Sequence, residues 1–155
     1  MKWHGFVVVA CAGLMLAGCA ASRARHQQER SRLAAIQAAA GKPVGAFDFM
    51  TRDLWSWEPL NEHELLVYTR PRQAWLLDVG VCPQLPYTVS IGLTSHVGQV
   101  SVMTDSVLVQ GGMLPCTIER IRPVDVAKLH KEMQARKGGT MVPERAAHAH
   151  ADATR

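Results

Sequence analysis

The main pattern in the sequence is a series of short apolar runs, separated by turn residues, that begins at Phe47 and ends at Ile121. Runs of this length, rich in branched and aromatic residues, are typical of β-strands. From Tyr87 to Leu93 apolar residues alternate strictly with small or polar ones, as on a strand with one solvated face. The pattern predicts about seven strands, over residues 54–57, 64–69, 73–79, 87–93, 100–102, 105–110 and 116–121.

Strands of this number and spacing predict a mainly β fold, a small antiparallel barrel or sandwich, with an α+β fold as the alternative. A C-terminal helix is predicted from Pro123 to about Lys137, because Pro favours the first position of a helix and Gly138 and Gly139 follow. Its apolar face would consist of Val126, Leu129 and Met133.

An N-terminal helix is predicted over residues 20–40, which are rich in Ala, Arg and Gln and are followed by Gly41 and Pro43. Its large apolar residues are few, so we interpret it as a polar helical spacer. A helix lying on a membrane surface is the alternative, favoured by its arginines.

The first residues have the pattern of an export signal. Lys2 precedes an uncharged apolar run over residues 6–16, which is shorter than the ~20 residues needed to cross a bilayer. The run ends in Leu16-Ala17-Gly18-Cys19, which resembles the lipobox of bacterial lipoproteins. This resemblance implies cleavage before Cys19, lipid on Cys19 and, with Ala20 following, the outer membrane facing the periplasm. A buried core helix is the alternative.

These features divide the chain into four segments. We predict a signal peptide over 1–18, a lipidated N-terminus and spacer over 19–46, a β domain with a C-terminal helix over 47–137, and a disordered tail over 138–155. The formal net charge of +4 is spread along the chain without a basic block, which disfavours nucleic-acid binding.

The chain has four cysteines, of which Cys11 lies in the signal and Cys19 would carry lipid. Cys82 and Cys116 then remain as a single pair in an oxidising compartment, which predicts a disulfide bond. A reactive thiol or redox pair is the alternative, although no C-x-x-C spacing supports it.

Candidate ligand and catalytic residues are few. His63 lies between Glu62 and Glu64, but on a strand their side chains would point away from it, so we interpret these residues as a solvated turn. His148 and His150 lie in the polar tail without a third ligand, and zinc sites need three or four. We predict no catalytic residue, no metal site and no cofactor.

Three further residues could belong to an enzyme site. Asp78 follows an apolar run. It could be a buried carboxylate with a perturbed pKa and a function, or an aspartate that caps a turn. Ser95-His96 with Asp105 contains the residue types of a catalytic triad, without a nucleophile-elbow motif. If the protein is an enzyme, Asp78 and His96 are the expected participants and should meet in a pocket.

Trp55 and Trp57 would face the same side of a strand. With Trp75 they suit core or rim packing, yet tryptophans concentrate binding energy when exposed. Trp55 and Trp57 are therefore the predicted partner surface.

Several motifs together resemble one family: the lipobox, Trp55-x-Trp57, the run from Trp75 to Asp78 before Cys82-x-x-Leu85, and Cys116-x-Ile118-x-x-Ile121 before Pro123-Val124. They are similar to short Gram-negative lipoproteins that carry an uncharacterised domain, over roughly residues 47–130. This resemblance implies the compartment and the domain boundaries, and no activity.

The sequence therefore predicts a non-catalytic envelope lipoprotein, held to the membrane by lipid on Cys19, that binds an envelope protein or another cell-envelope component or assists an assembly. A periplasmic hydrolase-like enzyme is the alternative.

Overall fold

The computed structural model of the protein describes residues 4–50, 54–110 and 114–139. Within these residues the chain forms two α-helices and eight strands, so the mainly β fold class predicted from the sequence is confirmed. The helices are α1 (His4–Ala39) and α2 (Val126–Gly139). The strands are β1 (Ala46–Asp48), β2 (Ser56–Pro59), β3 (Glu64–Arg70), β4 (Gln73–Val79), β5 (Ile91–Leu93), β6 (Gln99–Ser101), β7 (Ser106–Val109) and β8 (Cys116–Val124).

The strands form two antiparallel sheets. Six of them make one sheet in the order β2-β3-β4-β8-β7-β5, which curls into a half-barrel, and β1 pairs with β6 in the second. Strands β2, β3 and β4 are joined by short turns, whereas β8 returns from later in the chain to pair with β4, with Asp78 opposite Arg120. The centre of the large sheet is therefore built from strands distant in sequence.

Alternate residues of the central strands point to opposite faces of the large sheet. On one face, the fully buried side chains of Leu65, Leu77 and Ile121 pack with Phe47 of β1 and Val100 of β6. This first core is closed by the two-stranded sheet, so the short strand β1, which the hydropathy pattern does not predict, is part of the fold.

The second core lies on the other face of the same strands and is covered by both helices. Leu66 and Leu76 pack there with Ile36 of α1 and Leu129 of α2, all at most 2% exposed. The compact unit consequently begins at Ala35. The sequence pattern does not show that the last turn of a polar helix covers a second apolar face of the sheet.

Residues 40–44 continue from α1 along the edge of β8. The amides of Gly41 and Val44 donate hydrogen bonds to the carbonyls of Pro123 (2.8 Å) and Ile121 (2.9 Å). A Cβ atom on residue 41 would lie 3.3 Å from the Pro123 ring, so glycine permits this close approach. The segment lies along the C-terminal part of β8, whereas β7 pairs with its first two residues.

Two predicted elements differ in the structure. Residues 87–93 do not form one strand: Tyr87 ends a 3-10 turn, the side chains of Tyr87 and Val89 are each 82% exposed, and pairing begins at Ile91. The alternating pattern is misleading here because the apolar side chains of Tyr87 and Val89 are not covered by any of the described residues.

The sequence predicted that the C-terminal helix starts at Pro123, and this prediction is wrong. Pro123 lies in β8 opposite Trp75. Helix α2 starts after Asp125, whose Oδ1 accepts a hydrogen bond from the Lys128 amide at 2.9 Å. An aspartate in this position satisfies a free amide of the first turn and is a strong N-cap. The predicted apolar face is confirmed, since Val126 and Leu129 are buried and Met133 packs against the second core.

Cys82 and Cys116 form the predicted disulfide bond, with 5.7 Å between their Cα atoms. Cys82 follows β4 and Cys116 begins β8, so the bond joins the ends of two paired strands at the centre of the sheet. It closes the loop that contains β5, β6 and β7.

Contacts divide the chain into two compact units, Met1–Ala34 and Ala35–Arg155. The described residues of the first unit all belong to α1. Among the described residues, no helix has a segment both long enough and apolar enough to cross a membrane.

Candidate functional site

The two tryptophans predicted as a partner surface lie at the edge of the large sheet. Trp57, in β2, pairs with Val67 and packs partly buried against the first core. Trp55 precedes the strand, donates its backbone amide to the Tyr68 carbonyl at 2.8 Å, and has a side chain that is 68% exposed. Of the two residues, Trp55 therefore offers the open aromatic surface, while Trp57 contributes to packing.

Trp75 is a packing residue. Its ring stacks on Phe47 with the ring centroids 4.7 Å apart, and its Nε1 lies 3.4 Å from the Thr69 hydroxyl. This pair joins β4 to the strand β1 of the small sheet and fills the first core.

A polar cluster surrounds Asp105, whose side chain is fully buried. Its Oδ1 accepts hydrogen bonds from the Thr94 hydroxyl at 2.9 Å and from His96 Nδ1 at 2.8 Å, and its Oδ2 accepts one from the Ser101 amide at 2.8 Å. The Thr94 hydroxyl in turn accepts a hydrogen bond from the Ser106 amide at 2.8 Å. One carboxylate thereby holds together the residues on both sides of the turn between His96 and Gln99.

Burial is the largest influence on the pKa of Asp105 and acts to raise it. The hydrogen bonds from the Ser101 amide, the Thr94 hydroxyl and the His96 ring, with the electrostatic effect of that ring, outweigh burial and hold the pKa below its ordinary value. Asp105 is therefore ionised in the folded protein at neutral pH.

The segment that carries His96 is a tight hairpin turn. The backbone groups of His96 and Gln99 bond each other in both directions, at 2.9 and 3.0 Å, and the two central residues have positive φ angles, 53° at Val97 and 74° at Gly98. A β-branched residue rarely adopts positive φ, because its side chain crowds the backbone. Val97 is also fully exposed, so a strained apolar residue forms the tip of this turn.

The predicted triad residues are only partly brought together. His96 and Asp105 are in direct contact, but no hydrogen bond among the described residues joins Ser95 to His96, and Thr94 is the hydroxyl residue that contacts Asp105. The His96 side chain is 67% exposed. The contacts of Asp105 with Thr94, His96 and Ser101 give the cluster the arrangement of a structural clamp.

Asp78 and His96 do not share a site. Asp78 lies on the face of β4 that carries Leu76, where its carboxylate pairs with Arg122 at 2.8 Å and Arg120 at 3.1 Å. Asp105, the partner of His96, directly precedes β7. It is two residues before Val107, which packs in the first core. Among the described residues Asp78 and His96 contact different partners, so the meeting of these two side chains that the enzyme hypothesis requires is not seen.

The Asp78 cluster is a half-buried ionic network. Arg122 also approaches Glu64 at 3.6 Å, and Glu64 accepts hydrogen bonds from Asn61 at 2.9 Å and from Gln37 of α1 at 3.3 Å. The Nε atom of Arg122 is buried and has no hydrogen-bond partner in the described part of the chain. The network links the last turn of α1 to the strands β3, β4 and β8. These charged side chains therefore have a structural role.

The chain matches the Family of unknown function (DUF6491) over residues 2–140. It belongs to this family. The resemblance to a family with an uncharacterised domain is thereby confirmed. No curated protein and no solved structure matches the chain significantly.

In this DUF6491 chain, His63 lies exposed in the turn between β2 and β3, where its amide bonds the Asn61 side chain at 2.7 Å. Its neighbour Glu64 is engaged in the ionic network instead of facing His63. Among the described residues, no group of three or more His, Cys, Asp or Glu is placed to hold a metal ion. His148 and His150 lie outside the described residues.

Sequence reasoning missed several residues that the structure brings into polar clusters. Thr94 follows β5, and Arg120 and Arg122 lie in β8; a single threonine or arginine at such a position carries no periodic signal in the sequence. One signal was available for Val97: Val97-Gly98 between two polar residues is a short turn between apolar runs.

Proposed function

We propose that this protein is a lipid-anchored component of a Gram-negative cell envelope, tethered through Cys19 on the periplasmic side of the outer membrane. In this proposal its disulfide-bonded β domain is a non-catalytic binding or assembly-accessory module. The observation that carries the proposal is a lipobox-like Leu16-Ala17-Gly18-Cys19 in front of a domain that contains a disulfide. Disulfides persist in exported proteins and are rare in the reducing cytoplasm, so the two features support the same compartment.

Lipid on Cys19 would account for stable tethering. Each buried methylene of an acyl chain contributes about 0.8 kcal/mol, and two or more chains anchor a protein where a single chain does not. Residues 20–39, which follow Cys19, belong to α1, and in this proposal they are the spacer between the lipid and the β domain.

The binding role is supported by how the polar and aromatic side chains are used. The carboxylates of Asp105 and Asp78 are occupied by contacts that hold turns and strands together. The exposed ring of Trp55, in contrast, has an open surface, and exposed tryptophans contribute much of the free energy of binding at protein surfaces.

The deciding experiment is the mass of the full chain extracted from its native membrane, measured with and without reduction and alkylation. We expect a mature chain that starts at Cys19, carries acyl chains, and has Cys82 and Cys116 blocked until they are reduced. A Cys19→Ser variant should lose the acyl mass and the membrane association.

An unprocessed chain in which Cys82 and Cys116 react with an alkylating agent before reduction would overturn the proposal, because it would place the protein in a reducing compartment. A processed chain without acyl chains would be consistent with export of the protein, but it would show that Cys19 carries no lipid anchor.

A further inference from the structure

One corner of the large sheet combines an exposed aromatic ring with basic residues. It consists of Trp55 and the turn between β3 and β4, Arg70-Pro71-Arg72, and we call it the β3–β4 corner. All three turn residues are exposed, as is Trp55. The Trp55 amide bonds the Tyr68 carbonyl, two residues before Arg70, so the backbone of Trp55 lies beside the end of β3 that leads into the turn.

The charge of the corner is one-sided. The described residues 54–57 and 68–73 contain two arginines and no acidic residue, and the next acidic residue along β2 is Glu58, opposite Leu66. Neither arginine is within salt-bridge distance of a carboxylate in the described part of the chain, where the ion pairs involve other residues. Lys42 is exposed at the same end of the sheet, and Asp125 there caps α2. The two arginines are therefore available to an external anion.

The corner is also rigidly presented. Arg70 pairs with Gln73 across the turn, and Pro71 restricts the backbone between the two arginines. Trp55 is held through its backbone by β3, leaving the ring exposed. A turn that projects from the end of a sheet suits a broad surface better than a ligand that must be enclosed.

We propose that the β3–β4 corner docks on an anionic lipid bilayer, with the Trp55 ring at the headgroup level and Arg70 and Arg72 on lipid phosphates. Tryptophan is enriched at membrane interfaces because its ring is apolar and its N–H is polar, and arginine binds phosphate through several donors. The inference rests on the proposed function, because lipid on Cys19 would keep the domain at high effective concentration near a bilayer.

The test uses the full lipid-bearing chain reconstituted in vesicles of phosphatidylcholine alone or mixed with phosphatidylglycerol, in each case with and without brominated lipid. The difference in fluorescence between the wild type and Trp55→Phe reports the environment of this one tryptophan. We expect brominated lipid to quench it in the anionic vesicles and much less in the neutral ones.

Arg70→Gln with Arg72→Gln should lower the ratio of docked to undocked domain about 25-fold, since each basic residue near an anionic surface contributes about fivefold. Arg70→Lys with Arg72→Lys should retain most of the docking. The matched control, Lys128→Gln with Lys131→Gln, removes the same charge from α2, which packs on the other face of the sheet, and should change the quenching little.

A Trp55 signal that stays accessible to aqueous quencher in both vesicle types would overturn the inference. So would a photo-crosslinker at position 55 that forms adducts with a protein instead of lipid in intact envelopes; position 87, also exposed, is the control. If the chain carries acyl chains but brominated lipid does not quench Trp55, the docking inference is wrong and the proposed lipid anchor stands. A chain without acyl chains rejects the anchor, and added vesicles of the same composition then test the corner directly.

Discussion

Asp105 shows how a single buried charge organises this domain at the scale of residues. Its carboxylate binds groups from the segments around Thr94, His96 and Ser101, and its own amide donates to the Ser101 carbonyl at 3.1 Å. A buried carboxylate is tolerated when its lone pairs are satisfied in this way. The clamp fixes the turn at Val97, which explains how a β-branched residue can keep a positive φ angle there.

The variant Asp105→Asn should lower the free energy of unfolding by about 1–3 kcal/mol at pH 7, because an amide cannot replace all the charge-assisted hydrogen bonds. The pKa of Asp105 is lowered in the folded state, so its ionisation stabilises the fold above the unfolded-state pKa of about 3.9. This contribution is lost as the pH falls through the folded-state pKa.

Urea unfolding of both proteins between pH 7 and pH 3 checks the prediction: the difference between wild type and variant should shrink in acid. The control is Asp48→Asn, an exposed carboxylate that accepts one bond from Gln99 at 3.1 Å. Equal losses in the two variants, independent of pH, would contradict the role of Asp105.

At the scale of elements, the last turn of α1 belongs to the β domain. Ala35, Ile36 and Ala39 are buried in the second core, and Gln37 reaches the ionic network through Glu64. The helix end is therefore both a connection from the N-terminal segment and the cover for one face of the sheet.

The variant Ile36→Ala should lower the free energy of unfolding by about 2–5 kcal/mol, since it removes a fully buried side chain from a packed core. Leu33→Ala is the matched control: it is three residues earlier on the same helix and only partly buried, so its loss should be smaller. Urea unfolding of the full chain measures both. Similar losses for the two variants, or none for Ile36→Ala, would show that the domain does not need this helical turn.

At the scale of the whole molecule, the strands distant in sequence are held by a covalent bond where they meet. Cys82 and Cys116 are 34 residues apart and join the ends of β4 and β8, the paired strands at the centre of the sheet. Both cores depend on this pairing, because Leu77 and Ile121 face one core and Leu76 and Val124 face the other.

Reduction of this disulfide should lower the free energy of unfolding by about 4 kcal/mol, the value that the chain-entropy model assigns to a loop of this length. The measurement is guanidinium unfolding of the oxidised and the reduced chain. The double variant Cys82→Ala with Cys116→Ala should not respond to reductant, which serves as the control. Equal midpoints for the oxidised and reduced wild type would show that the bond does not stabilise the fold.

The sequence alone determined the features that depend on neighbouring residues. Strand β4 occupies the predicted residues 73–79, α1 ends just before Gly41, and the apolar face of α2 is as predicted. Period-two and helical patterns and turn residues act over a few positions, so they can be recognised without knowing the fold. The disulfide was predicted by counting cysteines within an inferred compartment.

The tertiary structure decided which side chains meet and which apolar residues are covered. The alternation at Tyr87 and Val89 resembles a buried strand, yet both residues are exposed, while Ile36 in a polar helix is fully buried. His96 separates from Asp78 and joins Asp105, and Trp55 is exposed where Trp57 packs. Periodicity encodes the face on which a side chain lies, but burial and contact depend on the element that packs against that face, and that partner is set by long-range strand pairing.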